Sequence, residues 1–384
     1  MTNVFDYLLW RGDLKLDTVP FNDVDALILS RLSYIPFDGI VPEDFAKDAV
    51  LLKEAAKTCL AMAEKAPAGK QVFRMEDDPR LLSALLESPR FSDMRLTGYV
   101  NRFDPEKEKQ FSAITVILEP DKTNFVAYRG TDGTLVGWKE DFNMGYQSAV
   151  PAQLDAVDYL EGVAKALPGT LRIGGHSKGG NLAVYAAAFS LETVQARILD
   201  VYNNDGPGFD TAVTQQAGFA RIIGRVHTFV PQGSIIGQLL LHEETSAVIH
   251  STNLGGLLQH DLYSWEIRRD GFVKAEELTN SSKVIDRTLK DWFTQMSPEM
   301  RGRMIDGVYS VLSATGAVTL SELAHGKNAM AAVKALREMD EPTRKVIQEA
   351  MERLAESFKK AVPTVFETAG DKKTRIVPEL DESR

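Results

Sequence analysis

The sequence is poor in cysteine and contains no long apolar run. Cys59 is the single cysteine among 384 residues, which excludes an internal disulfide and a cysteine-rich metal site. This usage is typical of a reducing compartment, so we expect a cytoplasmic protein. No stretch approaches the roughly 18 apolar residues of a membrane-spanning helix. Asp6 precedes a short apolar segment where a signal peptide would carry basic charge, and we expect no secretion signal.

Net positive charge is also lacking. The formal net charge is -10 at pH 7, which argues against a broad surface for phosphate backbones or anionic membranes. We therefore predict no nucleic-acid partner. Hydrophobic residues make up 44% and charged residues 26% of the chain, the balance of a globular protein that can bury a sizeable core.

The N-terminal part has apolar residues at helical spacing. Asn22 can cap a helix that extends to Ile35. A second helix is predicted after Pro42 and through residues 45–55, and a third over 81–86. These helices precede the first strand signals.

From Arg95 the pattern predicts an α/β sheet. Short β-type runs cover 96–103, 111–118 and 125–129, and the last two are linked by a turn signal. Helices and strands then alternate, with helices over 154–167 and 179–189 and strands over 171–174, 198–202, 222–230 and 247–251. This alternation predicts that neighbouring strands in the sheet are largely parallel.

The most informative segment is LRIGGHSKGG, residues 171–180, which contains G-x-S-x-G around Ser177. A strand is predicted before it and a helix after it. A nucleophile at such a turn needs flanking glycines, because side chains there would clash. The motif predicts that Ser177 is a nucleophile, whereas the alternative is a glycine-rich turn that only packs.

A serine nucleophile of this class needs a base, which follows it in the chain. His260 lies in the loop QHDLYSW after the last strand signal, and we favour it. His242 and His250 remain alternatives, whereas His227 lies inside a predicted strand and His325 inside the helical tail.

The orienting acid is predicted to be Asp205. It ends the strand that follows the nucleophile helix, and catalytic groups of open α/β sheets gather at that edge. The alternative is an aspartate that only forms the D-G-P-G turn. Glu243, Glu244 and Asp261 are further candidates, since the next strand ends in Pro231, Gln232, Gly233 and Ser234 without a carboxylate.

The segment FVAYRGTDG, residues 125–133, predicts the oxyanion hole. A strand there ends in Arg129, Gly130 and Thr131 and leads into a loop. The backbone N–H groups of Thr131 and of Lys178, the residue after the nucleophile, could bind the oxyanion of a tetrahedral intermediate.

These motifs resemble class 3 lipases, which join an RGT-type turn followed by W and D to a GHSxGG elbow. The matching residues are Arg129, Gly130, Thr131, Trp138, Asp141, His176, Ser177, Gly179 and Gly180. The segments PFNDVDALILSRLSYI, DGPGF and QHDLYSW further resemble a bacterial family of lipase-like hydrolases of unknown function. The resemblance implies the α/β-hydrolase fold and the nucleophile. Class 3 lipases, however, place their acid after the strand that here ends in Gln232 to Ser234.

We therefore predict an α/β-hydrolase domain over residues 1–277, a helical region over 278–368 and a disordered tail over 369–384. The expected reaction is hydrolysis of a carboxylic ester by Ser177, His260 and Asp205, without a metal or cofactor. A lipid-like ester is favoured because residues 235–241 form an apolar stretch, which could equally be a buried helix. The alternative is a noncatalytic hydrolase-fold protein that binds an apolar ligand or a protein, and the C-terminal helices could form a homodimer.

Overall fold

The centre of the molecule is an eight-stranded sheet whose strands lie in chain order. The computed structural model describes residues 2–67, 72–106, 109–132, 135–144, 147, 149–315 and 326–374. The strands are β1 Val50–Leu51, β2 Arg95–Asp104, β3 Lys109–Leu118, β4 Thr123–Tyr128, β5 Thr170–His176, β6 Ile198–Asn204, β7 Val226–Pro231 and β8 Ser246–Ile249. Strands β1 to β4 pair antiparallel, and β4 to β8 pair parallel.

Helices cover both faces of the sheet. The N-terminal helices are α1 Val4–Arg11, α2 Asp23–Leu32, α3 Leu52–Glu64 and α4 Asp78–Leu86. The helices between strands are α5 Leu135–Asn143, α6 Pro151–Ala166, α7 Lys178–Phe189, α8 Glu192–Gln195, α9 Thr211–Thr214 and α10 Ala217–Ile222. After a short hairpin of β9 Ile267–Arg268 and β10 Gly271–Phe272 come α11 Asn280–Thr294, α12 Pro298–Ser313, α13 Gly326–Glu338 and α14 Glu341–Thr374. The predicted α/β-hydrolase fold, with a mostly parallel sheet between helices, is confirmed.

The alternation of side chains along the strands builds two cores. In β4, Phe125 and Ala127 pack into the core shared with the N-terminal helices. Val126 and Tyr128 point to the other face, where they pack with α6 and α7. Because both faces are covered, β4 is buried along its whole length, as expected for a central strand.

Two elements differ from the sequence prediction. Residues 45–51 do not form a helix, because Val50 and Leu51 pair with the edge of β2 and only then does α3 begin. Strand β7 starts at Val226, since residues 217–222 form a helix instead. The α2 prediction is confirmed, and the Asn22 side chain accepts hydrogen bonds from the N–H groups of Val24 and Asp25.

The C-terminal helices have a small core of their own around Met296, Met304, Ile305 and Ala350. The Ser282 hydroxyl of α11 donates a hydrogen bond of 2.5 Å to the Ser234 carbonyl after β7. The division at residue 278 stays a prediction. The predicted disordered tail begins at residue 369, but α14 continues to Thr374, and residues 375–384 lie outside the described residues. Of the helices in the described ranges, none has the length and apolar character needed to cross a membrane.

A buried ion pair ties the N-terminal helices together. Asp25 and Arg90 are both fully buried, and the Arg90 Nε and Nη2 atoms donate to the two Asp25 oxygens over 2.8 and 2.5 Å. The Tyr7 hydroxyl donates to the same carboxylate over 2.8 Å. A charge in this position is stable only with its partner, because burial removes its hydration.

We expect Asp25→Ala to lower the free energy of unfolding by about 3 to 5 kcal/mol, because it leaves Arg90 buried without a counter-charge. Urea denaturation followed by circular dichroism measures the change. The exposed Asp13→Ala is the control, and it should change the value by less than about 0.5 kcal/mol. A loss below about 1 kcal/mol for Asp25→Ala would contradict this account of the N-terminal helices.

Candidate active site

Ser177 occupies a strained turn between β5 and α7. Its φ of 61° and ψ of -135° lie in a region that side chains rarely adopt. A Cβ atom added to Gly175 would lie 2.2 Å from the Gly179 carbonyl carbon, and one added to Gly179 would lie 2.2 Å from the Tyr128 carbonyl oxygen. Both positions therefore require glycine, as the motif predicts.

His260 and Asp205 meet at the edge of the sheet where the parallel strands end. Asp205 directly follows β6 and is fully buried, and its φ of 53° is one that aspartate tolerates. The His260 Nδ1 atom lies 2.6 Å from Asp205 Oδ2. The His260 side chain is 22% exposed. The structure thus brings together the two residues that the sequence analysis paired.

Ser234 occupies the end of β7, the position at which the class 3 resemblance places the acid. Its hydroxyl donates a hydrogen bond of 2.5 Å to Asp205 Oδ1. The Gly237 N–H also donates to Asp205 Oδ1, over 3.2 Å. Asp205 is therefore held from the neighbouring strand, while its other oxygen faces His260. From the sequence, Ser234 is only a position without a carboxylate, and no local pattern predicts this contact.

The alternative bases and acids lie in other pairs. The nearest acidic groups are Asp200 for His227, Glu244 for His242 and Glu266 for His250, at 3.0, 2.8 and 2.7 Å. Asp261 caps the turn that follows it through the Tyr263 N–H. Glu243 is exposed, and His325 lies outside the described residues.

His176, beside Ser177, contacts His260 through both its ring and its hydrogen bond. Its Nε2–H group donates to the His260 carbonyl oxygen over 2.8 Å, and the two rings are 4.4 Å apart. Burial, and next the charge of His260, lower the pKa of His176 well below its ordinary value. The ring is therefore neutral at pH 7.

Tyr34 links the Ser177 elbow to the turn formed by Arg129, Gly130 and Thr131. We call this turn the oxyanion turn, because it contains a predicted oxyanion donor. Its hydroxyl accepts a hydrogen bond of 2.9 Å from the Gly130 N–H and donates one of 3.0 Å to the His176 carbonyl. The sequence analysis placed this segment in an N-terminal helix and gave Tyr34 no role. No local motif marks it, since the contact spans 96 residues along the chain.

The two predicted oxyanion donors are the backbone N–H groups of Thr131 and Lys178, which lie in the two segments that Tyr34 connects. Thr131 follows Gly130, and its hydroxyl donates to Asp141 Oδ2 over 2.6 Å. Lys178 is the first residue of α7, where a backbone N–H has no partner within the helix. Its side chain turns away into the interior, where Nζ lies 2.8 Å from the buried Glu140 Oε2. The side chain of Trp138, part of the class 3 resemblance, lies outside the described residues.

The sequence pattern of the Mbeg1-like family matches residues 85–310, more than half of the chain. The chain belongs to the Mbeg1-like family. No curated protein matches the sequence of this Mbeg1-like chain.

Several solved lipases are similar to the Mbeg1-like chain. They include the Rhizomucor miehei lipase propeptide complex (15% identity, TM-score 0.31, 44% of this chain) and Lip2 lipase from Yarrowia lipolytica (14%, 0.32, 52% of this chain). A triacylglycerol lipase whose catalytic centre is a serine protease triad is similar at 14% identity with a TM-score of 0.35 over 60% of this chain. The match covers 58%, 76% and 80% of these three chains, so the Mbeg1-like chain spans little more than half of the first lipase.

An apolar loop lies next to His260. Leu254, Leu257 and Leu258 are 88%, 62% and 64% exposed. A Cβ atom added to Gly256 in this loop would lie 2.7 Å from Ile235 Cγ1, so the loop packs on the apolar stretch over residues 235–241. That stretch contains only a short 3-10 turn and is half-buried, which excludes the alternative of a buried helix.

Within the described residues, no cluster of three or more His, Cys, Asp and Glu side chains could hold a metal ion.

The buried neutral His176 makes stability depend on pH. Its folded pKa lies below the unfolded value of about 6.5, so its contribution is present above that pH and is lost as the pH falls. We expect the free energy of unfolding to fall by up to about 1.4 kcal/mol per pH unit below 6.5 from this group. In urea denaturation at pH 7.5 and 5.5, His176→Gln should therefore lose less unfolding free energy between the two pH values than the unchanged protein.

His227 is the matched control, because its effect on the pH dependence of stability has the opposite sign. Its hydrogen bond to Asp200 raises its pKa, so its contribution is present at low pH and lost as the pH rises. His227→Gln should therefore make the fall on acidification steeper. An unchanged pH dependence in His176→Gln would show that His176 is not buried as a neutral ring.

Proposed function

We propose that the Mbeg1-like chain hydrolyses carboxylic esters with Ser177 as nucleophile, His260 as base and Asp205 as orienting acid. The observation that best supports the proposal is the 2.6 Å contact between His260 Nδ1 and Asp205 Oδ2. This pair lies at the sheet edge that also carries the strained Ser177 turn. A buried carboxylate on Nδ1 fixes the imidazole in the orientation that presents Nε2 to a serine.

The proposed reaction proceeds in two acyl transfers. His260 Nε2 takes the Ser177 hydroxyl proton while Ser177 Oγ attacks the ester carbonyl, and the same proton then passes to the departing alcohol. Water attacks the acyl-enzyme next, and its proton returns through His260. The reaction needs no metal or organic cofactor. The Asp205 carboxylate orients the imidazolium that forms and stabilises its charge.

The Thr131 and Lys178 backbone amides are proposed to bind the oxyanion. Three hydrogen bonds support their placement, because Tyr34 ties Gly130 to His176 and Asp141 holds the Thr131 hydroxyl. Removal of one oxyanion donor typically lowers turnover by about 100- to 1000-fold. Donors fixed before the reaction stabilise the developing charge without reorganising.

The substrate is proposed to be a lipid-like ester. The exposed leucines Leu254, Leu257 and Leu258 lie within six residues of His260. Contiguous exposed apolar side chains mark binding surfaces for apolar ligands. A short-chain ester would leave this surface unused, so activity should rise with acyl chain length.

Two further features of the proposal rest on the sequence. The cytoplasmic location follows from the single cysteine, which the structure places in the interior, where burial raises its pKa to about 11. A homodimer through α11 to α14 would follow from their apolar faces. A sizing column that compares the full chain with one ending at Ala275 measures that association, and an unchanged oligomeric state would contradict it.

Nitrophenyl esters of increasing acyl length test the proposed triad. We expect Ser177→Ala to abolish turnover and Asp205→Asn to lower kcat by about 10,000-fold, because the imidazole then adopts the wrong tautomer. The exposed Glu243→Gln is the control and should keep the activity of the unchanged protein. Circular dichroism of each variant checks that it is folded.

The outcome separates the hydrolase from a binding protein. Turnover in Asp205→Asn equal to that of the unchanged protein would reject Asp205 as the acid. If the folded protein hydrolyses none of the esters, the chain is a noncatalytic hydrolase-fold protein, and the apolar loop before His260 becomes its binding surface.

A further inference from the structure

A cavity adjoins the turn that contains Arg129 and Gly130. It has a volume of about 310 Å³ and includes Tyr34, Arg74, Tyr99 and Arg129 in its wall. Arg129 directly follows β4 and precedes Gly130. We call this space the arginine cavity. Its volume is that of a site for a small organic ligand.

Arg129 is a buried cation with few partners. It is 3% exposed, and its Nη1 donates to Asn101 Oδ1 over 3.1 Å. Its Nε atom is buried and has no hydrogen-bond partner among the described residues. No carboxylate of the described residues forms an ion pair with it. A guanidinium has five N–H donors, and a buried charge without a counter-charge is costly.

The other buried arginines show what Arg129 lacks. Arg31 donates from Nε and Nη2 to both oxygens of Asp78 over 2.7 Å, and Arg90 does the same with Asp25. In both pairs, two guanidinium nitrogens therefore donate to the two oxygens of one carboxylate. Among the described arginines that are buried, Arg129 is the exception, and it is the one that lines a cavity.

The neighbouring charges leave the cavity positive. Arg74 lies 3.2 Å from Asp132 Oδ2, so these two charges offset each other. Asp38 reaches Arg129 only through the amide of Asn101, which donates to Asp38 over 3.2 Å. Burial, and next the charge of Arg74, lower the pKa of Arg129 to about 10. Arg129 still carries its charge at pH 7, and no anion on the wall is paired with it directly.

We propose that the arginine cavity binds the anionic group of a small organic ligand, a carboxylate or a phosphate, in direct contact with Arg129. Guanidinium groups match the two oxygens of such groups by parallel hydrogen bonds. Tyr99 and Phe73 on the same wall provide apolar surface for the rest of the ligand. A bare inorganic ion would leave most of this volume empty.

Tyr34 connects the arginine cavity to the Ser177 elbow. Tyr34 lines the cavity, and the same hydroxyl contacts Gly130 and His176. The bound group is therefore either part of the ester substrate or a separate effector beside the oxyanion turn. The first case deepens the proposed hydrolase function and rests on it. Binding itself does not rest on catalysis.

Calorimetric titration of the full chain tests binding with phenyl phosphate, benzoate and inorganic phosphate, and with benzyl alcohol as an uncharged probe. We expect phenyl phosphate or benzoate to bind at one site with a dissociation constant of about 1 mM or tighter, and benzyl alcohol not to bind. Arg129→Gln should weaken the organic anions at least about tenfold, because the charged hydrogen bonds are lost. The control is Arg102→Gln on β2, whose side chain is 52% exposed and paired with Glu43, and it should bind as the unchanged protein does.

A null titration of the unchanged protein, or equal binding by Arg129→Gln, would overturn the proposal. Binding of inorganic phosphate alone would overturn the organic ligand. If Arg129→Gln does not fold, Arg129→Lys serves instead, because it keeps the charge without the planar fork, and the same loss is expected.

A kinetic arm distinguishes the two sources of the anion. If the substrate carries it, Arg129→Gln should raise KM far more for a nitrophenyl ester with a terminal carboxylate than for an uncharged ester of equal length. If an effector carries it, both KM values should change alike, and phenyl phosphate should alter turnover of the uncharged ester. Anion binding by a protein without esterase activity would reject the hydrolase proposal and retain the arginine cavity.

Discussion

The site depends on one close backbone crossing, where β5 turns into α7 beside the end of β4. Gly175 meets Gly179 there, and Gly179 meets the Tyr128 carbonyl, at distances that exclude any side chain. Ser177 lies between these two glycines and has an unusual backbone conformation, with a φ of 61°. The Arg129 to Thr131 turn follows the same end of β4, so the proposed nucleophile and one of the proposed oxyanion donors are both held at this crossing.

Hydrogen bonds to buried groups then fix the remaining parts of the site around this crossing. Asp205 is fully buried and is held by Ser234 on the neighbouring strand end. The proposed acid thus lies one strand earlier than in class 3 lipases. The segment after β7, where those lipases place their acid, carries the Ser234 hydroxyl instead. A buried carboxylate needs hydrogen-bond donors on both oxygens, and Ser234 and His260 supply one to each oxygen of Asp205.

The sequence was most informative where function imposes local rules. Motif, strand order and chain order select the glycines around Ser177, Asp205 at the end of β6 and His260 in a later loop, and the structure places Asp205 and His260 in contact. The predicted triad pairs Asp205 with His260, but the geometry of their contact comes from the fold, because 55 residues separate them. Tyr34, Ser234 and the edge strand Val50–Leu51 were missed for the same reason, since each owes its place to a distant partner and not to its own neighbours in the chain.

The central claim is that Ser177 is a nucleophile activated by its surroundings. The most direct measurement is incubation of the folded protein with a fluorophosphonate probe, followed by intact-mass and peptide mass spectrometry. The account predicts one adduct, located on Ser177, that is absent from Ser177→Ala and forms much more slowly in Asp205→Asn. An adduct on another residue, or labelling at equal rates in the unchanged protein and Asp205→Asn, would contradict it.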